Sequence, residues 1–81
     1  MPLVLVVEDD RSTRENLCTA LDEIEGIETL GAANAEEAMS RLDLAPVDVV
    51  VTDVNLGRMS GVDLLSHIAE QHPETAAILV T

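Results

Sequence analysis

Acidic side chains follow two aliphatic runs of the sequence, at the points where the runs end. Glu8, Asp9 and Asp10 come directly after residues 3–7, and Asp53 comes directly after residues 47–52. If both runs are parallel strands, their carboxyl ends lie at one edge of a sheet, where the ligands of such sheets bind. Carboxylates in one small pocket repel one another, so we expect Glu8, Asp9 and Asp53 to surround a cation.

Mg²⁺ is the ion that suits these ligands, because an open, oxygen-only site with few carboxylates favours it over Ca²⁺. A carboxylate beside Mg²⁺ can attack phosphorus and form an aspartyl phosphate. We do not expect a zinc site, because Cys18 is on the first predicted helix and both histidines, His67 and His72, lie at the far end of the third. We interpret the histidines as surface residues, and Asp10 as a structural residue where the first helix begins.

Four aliphatic runs predict the strands that position these residues. Residues 3–7 and 47–52 are aliphatic on both faces, which is typical of strands buried on both sides. Residues 27–31 predict a weaker strand with a wetter side, near an edge of the sheet. Residues 76–81 begin a fourth aliphatic strand.

Three predicted helices alternate with the strands. Ser12 and Glu15 have the spacing of a capping box, and apolar residues at helical spacing follow it up to Gly26, namely Leu17, Ala20, Leu21 and Ile24. Asn34 with Glu37, and Ser60 with Asp63, predict the starts of the other two helices. The alternation predicts right-handed βαβ crossovers and a doubly wound parallel sheet of the α/β class.

Three segments together resemble the receiver domain of bacterial two-component response regulators. They are LVVEDD at residues 5–10, VTD at 51–53 leading into MSG at 59–61, and ILVT at 78–81. The resemblance extends over the whole chain, and it implies a flavodoxin-like fold with strand order 2-1-3-4. The fifth strand and last two helices of that family have no counterpart here, so we expect residues 1–81 to be a receiver domain incomplete at its C-terminus.

The resemblance also implies roles for individual residues. Asp53 matches the phosphoacceptor, which takes a phosphoryl group from a sensor histidine kinase or a phosphotransfer protein. Asp9 matches the direct Mg²⁺ ligand together with Asp53, Glu8 the carboxylate that acts through a coordinated water, and Asn55 the residue whose backbone carbonyl completes the metal site. Thr81 matches the hydroxyl that switches an output surface, without turnover of an external substrate.

Two departures from the family pattern leave alternatives open. Gly57 stands where the family usually has Pro, and the chain contains no Lys, whereas the family has a Lys at the end of its fifth strand. One alternative is a degenerate or truncated receiver that binds proteins independently of phosphorylation. A Mg²⁺-dependent phosphohydrolase is weaker, because the segment after Asp53 lacks the second carboxylate of an aspartate-nucleophile phosphatase motif.

The composition bears on partners and location. Sixteen acidic residues against four Arg give a net charge of −12, which argues against nucleic acid and anionic membrane surfaces as partners. The first apolar run ends at Glu8 and is neither a signal peptide nor a membrane span, and the single Cys18 suits a cytoplasmic protein. The apolar fourth strand predicts an uncovered edge through which the chain could self-associate.

Overall fold

In the sheet, the first strand of the chain lies between the second and the third. The computed structural model describes residues 2–54, 56 and 60–80. The elements are β1 Leu3–Val7, α1 Arg11–Asp22, β2 Glu28–Ala32, α2 Ala35–Leu44, β3 Val49–Asp53, α3 Gly61–Gln71 and β4 Ala76–Val80. All strand pairs are parallel, in the order β2-β1-β3-β4, which confirms the expected α/β class and strand order. The order reverses between β1 and β3, where ligands of such sheets bind.

The main hydrophobic core lies between one face of the sheet and helices α2 and α3. Leu5 and Val50 contribute from the central strands, while Leu64 and Ile68 contribute from α3. Helix α2 adds three apolar residues to this cluster, namely Ala35, Ala38 and Leu42. Leu64 is fully buried, and burial of that kind contributes about 1.5–3 kcal/mol per side chain. This packing fixes both helices against the sheet.

Helix α1 packs on the other face, over β1 and β2. None of its residues is fully buried, and Leu17 and Ala20 are exposed while Leu21 is half-buried. The helix ends at Asp22, so Ile24, which the sequence pattern included, lies beyond it and is exposed. Within the described part of the chain, no helix is long and apolar enough to span a bilayer.

Two strands show less burial on one side than their sequences predict. β3 alternates between buried residues, Val50 and Thr52, and half-buried ones. β4 is the edge strand of the described sheet, and Ile78 and Val80 are both about half exposed. The apolar, uncovered strand is therefore present as expected. Self-association through it stays a prediction.

Candidate functional site at the carboxyl edge of the sheet

Strand register brings the predicted acidic residues to one edge. Val7 pairs with Thr52, so the residues that follow them, Glu8 and Asp53, lie side by side beyond β1 and at the end of β3. Thr52 is buried, while Glu8 and Asp53 are half-buried and Asp9 is exposed. The arrangement gives a carboxylate pocket that is anchored in the sheet and open to solvent.

Backbone contacts fix the acidic segment after β1. The amide of Glu8 donates to the carbonyl of Ala32 at 3.0 Å, which extends the pairing with β2 by one residue. Arg14 Nη1 donates to the carbonyl oxygen of Glu8 at 2.8 Å. The Glu8 side chain accepts from the amide of Asp10 at 3.2 Å. Glu8 is therefore held through both its backbone and its carboxylate.

Asp10 begins helix α1, so the predicted capping box at Ser12 and Glu15 is wrong. The Asp10 carboxylate accepts from the backbone amide of Thr13 at 2.9 Å and from its hydroxyl at 2.6 Å. These two hydrogen bonds lower the pKa of Asp10 below its ordinary value. Glu15 instead forms an ion pair with Arg11 on the helix surface. Asp10 faces its own helix and is structural, as expected.

Electrostatics single out Glu8 within the pocket. Burial is the largest cause that raises the pKa of Glu8, and a hydrogen bond with Asp9 and the charges of Asp53 and Asp9 raise it further. The hydrogen bond from the Asp10 amide acts in the opposite direction. These causes show that the three carboxylates interact, and a bound cation would relieve their repulsion.

Helix α3 begins close to the end of β3. Ser60 caps α3 in a capping box with Asp63, as the sequence predicts. The amide of Gly61 donates to the carbonyl of Val54 at 2.8 Å. A Cβ on Gly61 would lie 2.5 Å from the carbonyl oxygen of Asp53, so only glycine allows α3 to begin this close to the site.

Several predicted site residues lie outside the part of the chain that the structure describes. They are Asn55, the expected carbonyl ligand, and Thr81, the expected switch residue. Gly57, at the position of the family's usual Pro, also lies outside it.

Two residues near the site had no assigned role in the sequence interpretation. Arg14 reaches back six residues to the Glu8 carbonyl, a contact that no spacing rule predicts because it depends on where α1 crosses the sheet. Gly61 stands in the MSG segment, but its reason for being glycine is a close approach between two parts of the backbone. A cavity of about 300 Å³ next to the pocket is lined by Glu8, Asp53, Leu17 and Val80, among others.

Comparison with known sequences decides the family. A sequence model of the response regulator receiver domain matches residues 4–81. The chain belongs to this family. Response regulator protein PilR of Pseudomonas aeruginosa is 35% identical over 77 residues, which cover 95% of this receiver and 17% of the relative. A protein-glutamate methylesterase/protein-glutamine glutaminase of Bacillus subtilis is 40% identical over 68 residues, which cover 83% of the receiver and 19% of the relative. The receiver thus spans less than a fifth of these relatives.

Solved structures agree with this assignment. The response regulator protein TrrA of Thermotoga maritima, in complex with Mg(2+)-BeF, matches with a TM-score of 0.90 and 33% identity, over 98% of this receiver and 68% of that chain. A structure of the histidine kinase ThkA in complex with TrrA matches with a TM-score of 0.91 and 33% identity, over 100% of the receiver and 69% of that chain. These solved structures therefore have the same fold as this receiver.

Proposed function

We propose that this receiver accepts a phosphoryl group on Asp53, with Mg²⁺ as cofactor, from a sensor histidine kinase or a phosphotransfer protein. The observation that carries the proposal is the position of Asp53 at the end of β3, next to Glu8, whose pKa it helps to raise. A carboxylate that acts as a nucleophile needs neighbours of this kind, because their negative charges favour the binding of a cation beside it.

The donor atoms at this edge fit Mg²⁺, because all of them are oxygens. Asp9 and Asp53 would bind the ion directly, Glu8 through a water molecule, and Asn55 through its backbone carbonyl. When bound, Mg²⁺ neutralises charge on the oxygens of the phosphoryl group. The TrrA structure in complex with Mg(2+)-BeF supports the same chemistry in a relative.

The transfer itself uses one carboxylate oxygen of Asp53. This oxygen forms a bond to phosphorus while the P–N bond of the donor phosphohistidine breaks, and the imidazole nitrogen keeps that electron pair and takes up a proton. The pairing of Thr52 with Val7 of β1 and of Asp53 with Val80 of β4 supports this role, because it holds the backbone of Asp53 in the sheet. Positioning of this kind is a large part of the catalysis of phosphoryl transfer.

Thr81 is the proposed switch residue, because it directly follows Val80, which pairs with Asp53 across the β3–β4 boundary. Its hydroxyl would respond to the phosphoryl group and change the output surface. The complex of ThkA with TrrA supports a histidine kinase as the partner. We propose a cytoplasmic location, no direct contact of this segment with nucleic acid, and no turnover of an external substrate.

Labelling with acetyl phosphate tests the phosphoacceptor. We expect Mg²⁺-dependent labelling of the protein that is abolished by Asp53→Ala and by chelation of the metal. Glu70→Ala is the control, because Glu70 is an exposed carboxylate near the end of α3, away from the carboxyl edge of the sheet. Persistent labelling of Asp53→Ala would contradict the assignment.

The second candidate is a receiver that binds proteins independently of phosphorylation. A full-length protein that lacks Lys at the family's position would favour it, because the family uses a Lys at the phosphoryl group. Beryllofluoride, which mimics the phosphoryl group, separates the two candidates. A change in the amide NMR spectrum of the protein on addition of beryllofluoride and Mg²⁺ supports the phosphoacceptor. An unchanged spectrum supports the interaction module.

A further inference from the structure

A second group of metal-ligating side chains lies where α2 and α3 end. Asp43 is in the last turn of α2, His67 is on α3, and His72 is the C-cap of α3. One ligand atom from each residue lies within 4.8 Å of the other two. From this juxtaposition we propose that Asp43, His67 and His72 form a Zn²⁺-binding site, separate from the acidic pocket.

The distances are close to those around a zinc ion. Asp43 Oδ1 lies 2.9 Å from His72 Nε2 and 4.0 Å from His67 Nε2. Ligand atoms of a tetrahedral site, 2.0–2.2 Å from the metal, are about 3.4 Å apart. One distance is shorter than this value and one is longer, and each differs from it by only about 0.5–0.6 Å.

His67 supplies an independent observation. Its Nε2 atom is buried and has no hydrogen-bond partner among the described residues, although it is directed towards Asp43. A buried polar atom without a partner costs free energy, and a lone pair on a neutral imidazole is satisfied by a metal. The side chains of His67 and His72 are 24% and 21% exposed, so these predicted surface residues are half-buried.

The surrounding structure holds these ligands in place. Leu42 and Ile68, next to Asp43 and His67 in sequence, are both buried in the main core. The amide of Thr75 donates to the His72 carbonyl at 3.0 Å, and its hydroxyl donates to the carbonyl of Val47 at 2.9 Å. Ligands on well-packed elements lose little freedom on binding a metal.

Charge and access also favour a cation here. The carbonyl ends of α2 and α3 carry partial negative charge, and the chain as a whole is strongly acidic. His72 also lines an open groove of about 540 Å³ beyond the ends of α2 and α3, so solvent reaches this ligand of the site. Asp43 is exposed, so three protein ligands leave a fourth position for water, as in open zinc sites.

The ligand set selects the class of metal. Two imidazoles and one carboxylate suit Zn²⁺ and other borderline divalent ions, whereas the all-oxygen pocket at the other end of the strands suits Mg²⁺. We therefore expect excess Mg²⁺ not to displace Zn²⁺ from this site. Binding requires neutral imidazoles, so Zn²⁺ is expected to release protons and to bind more weakly in acid.

The proposal is tested by titrating tag-free protein with Zn²⁺ in a buffer that contains excess Mg²⁺. We expect one Zn²⁺ per chain and at least a tenfold loss of affinity in His67→Gln, His72→Asn and Asp43→Asn, since even outer partners of metal ligands contribute 10–100-fold. Glu70→Gln is the matched control, because it removes an exposed charge from α3 without removing a ligand. Asp53→Asn separates this site from the acidic pocket and should bind Zn²⁺ as the wild type does.

Nitrogen NMR of the wild-type protein gives a readout that does not depend on how well a variant folds. The 81 residues contain only two histidines, so their ring resonances are readily assigned with the two substitutions. Zn²⁺ is expected to shift the Nε2 resonances of His67 and His72 together, at one equivalent. The proposal is overturned if these resonances do not move, or if the ligand variants lose less than tenfold in affinity.

Discussion

Gly61→Ala is the substitution whose cost can be worked out most directly from the structure. The added Cβ would lie 2.5 Å from the carbonyl oxygen of Asp53 and 3.0 Å from Cα of Val54. Favourable contact between heavy atoms begins near about 3.5 Å, so both approaches are strongly repulsive. One atom belongs to the backbone of the last residue of β3 and the other to the backbone of the next residue, and neither can rotate away.

Relief of the clash requires α3 to move away from β3. The hydrogen bond from the Gly61 amide to Val54 and the full burial of Leu64 resist this movement. Overpacking of this kind costs up to about 3 kcal/mol. Replacement of glycine returns about 1 kcal/mol, because alanine has less freedom in the unfolded chain. The expected net loss of unfolding free energy is about 2 kcal/mol.

Thermal unfolding followed by circular dichroism measures this loss. For a domain of this size, about 2 kcal/mol corresponds to a fall of roughly 8–16 °C in the unfolding midpoint. Gly31→Ala is the matched control, because its nearest neighbour is the flexible side chain of Arg14, at 3.2 Å. We expect that variant to change by less than about 1 kcal/mol. The reasoning is refuted if Gly61→Ala is no less stable than Gly31→Ala.

Two further predictions concern a helix cap and a titrating group. Asn34→Ala should lower the unfolding free energy by about 1 kcal/mol, because the Asn34 side chain accepts from the amide of Glu37 at 2.8 Å, while Asn34→Ser should retain most of it; urea unfolding of both variants checks the difference. In metal-free buffer, Glu8→Gln should be more stable than the wild type at neutral pH. The raised pKa of Glu8 means that its contribution to stability is full below the ordinary range of a Glu carboxyl and is lost as pH rises through the raised pKa. The gain in Glu8→Gln should therefore disappear in acid, and a gain that is independent of pH would show that charge is not its cause.

The edge of the sheet at which the acidic residues lie could be predicted from local patterns in the sequence. Aliphatic runs that end in carboxylates indicate buried parallel strands, and parallel strands place their carboxyl ends at one edge. The strand order that makes Glu8 and Asp53 neighbours came from the resemblance to the receiver family. The caps at Asn34 and Ser60 were equally local, because each depends on a residue three positions away.

Other features depend on how the helices pack. Apolar residues recur at helical spacing in α1, but Leu17 is exposed, and the helix lies mainly over β1 and β2. The point at which the chain leaves β1 makes Asp10, and not Ser12, the residue that begins α1. The Asp10 carboxylate accepts from the amide of Thr13. A residue pattern contains no information on how far one helix extends across a sheet.

The sequence by itself determined the fold class, the family and the edge at which the acidic residues meet, since these depend on periodicity and strand ends. Tertiary structure alone decided that Gly61 lies against the Asp53 backbone and that Asp43 joins His67 and His72. Asp43 is 24 residues from His67 and 29 from His72, and only the packing of α2 beside α3 brings them within 4.8 Å. Contacts between residues far apart in sequence arise from burial of a shared core, which no local spacing specifies.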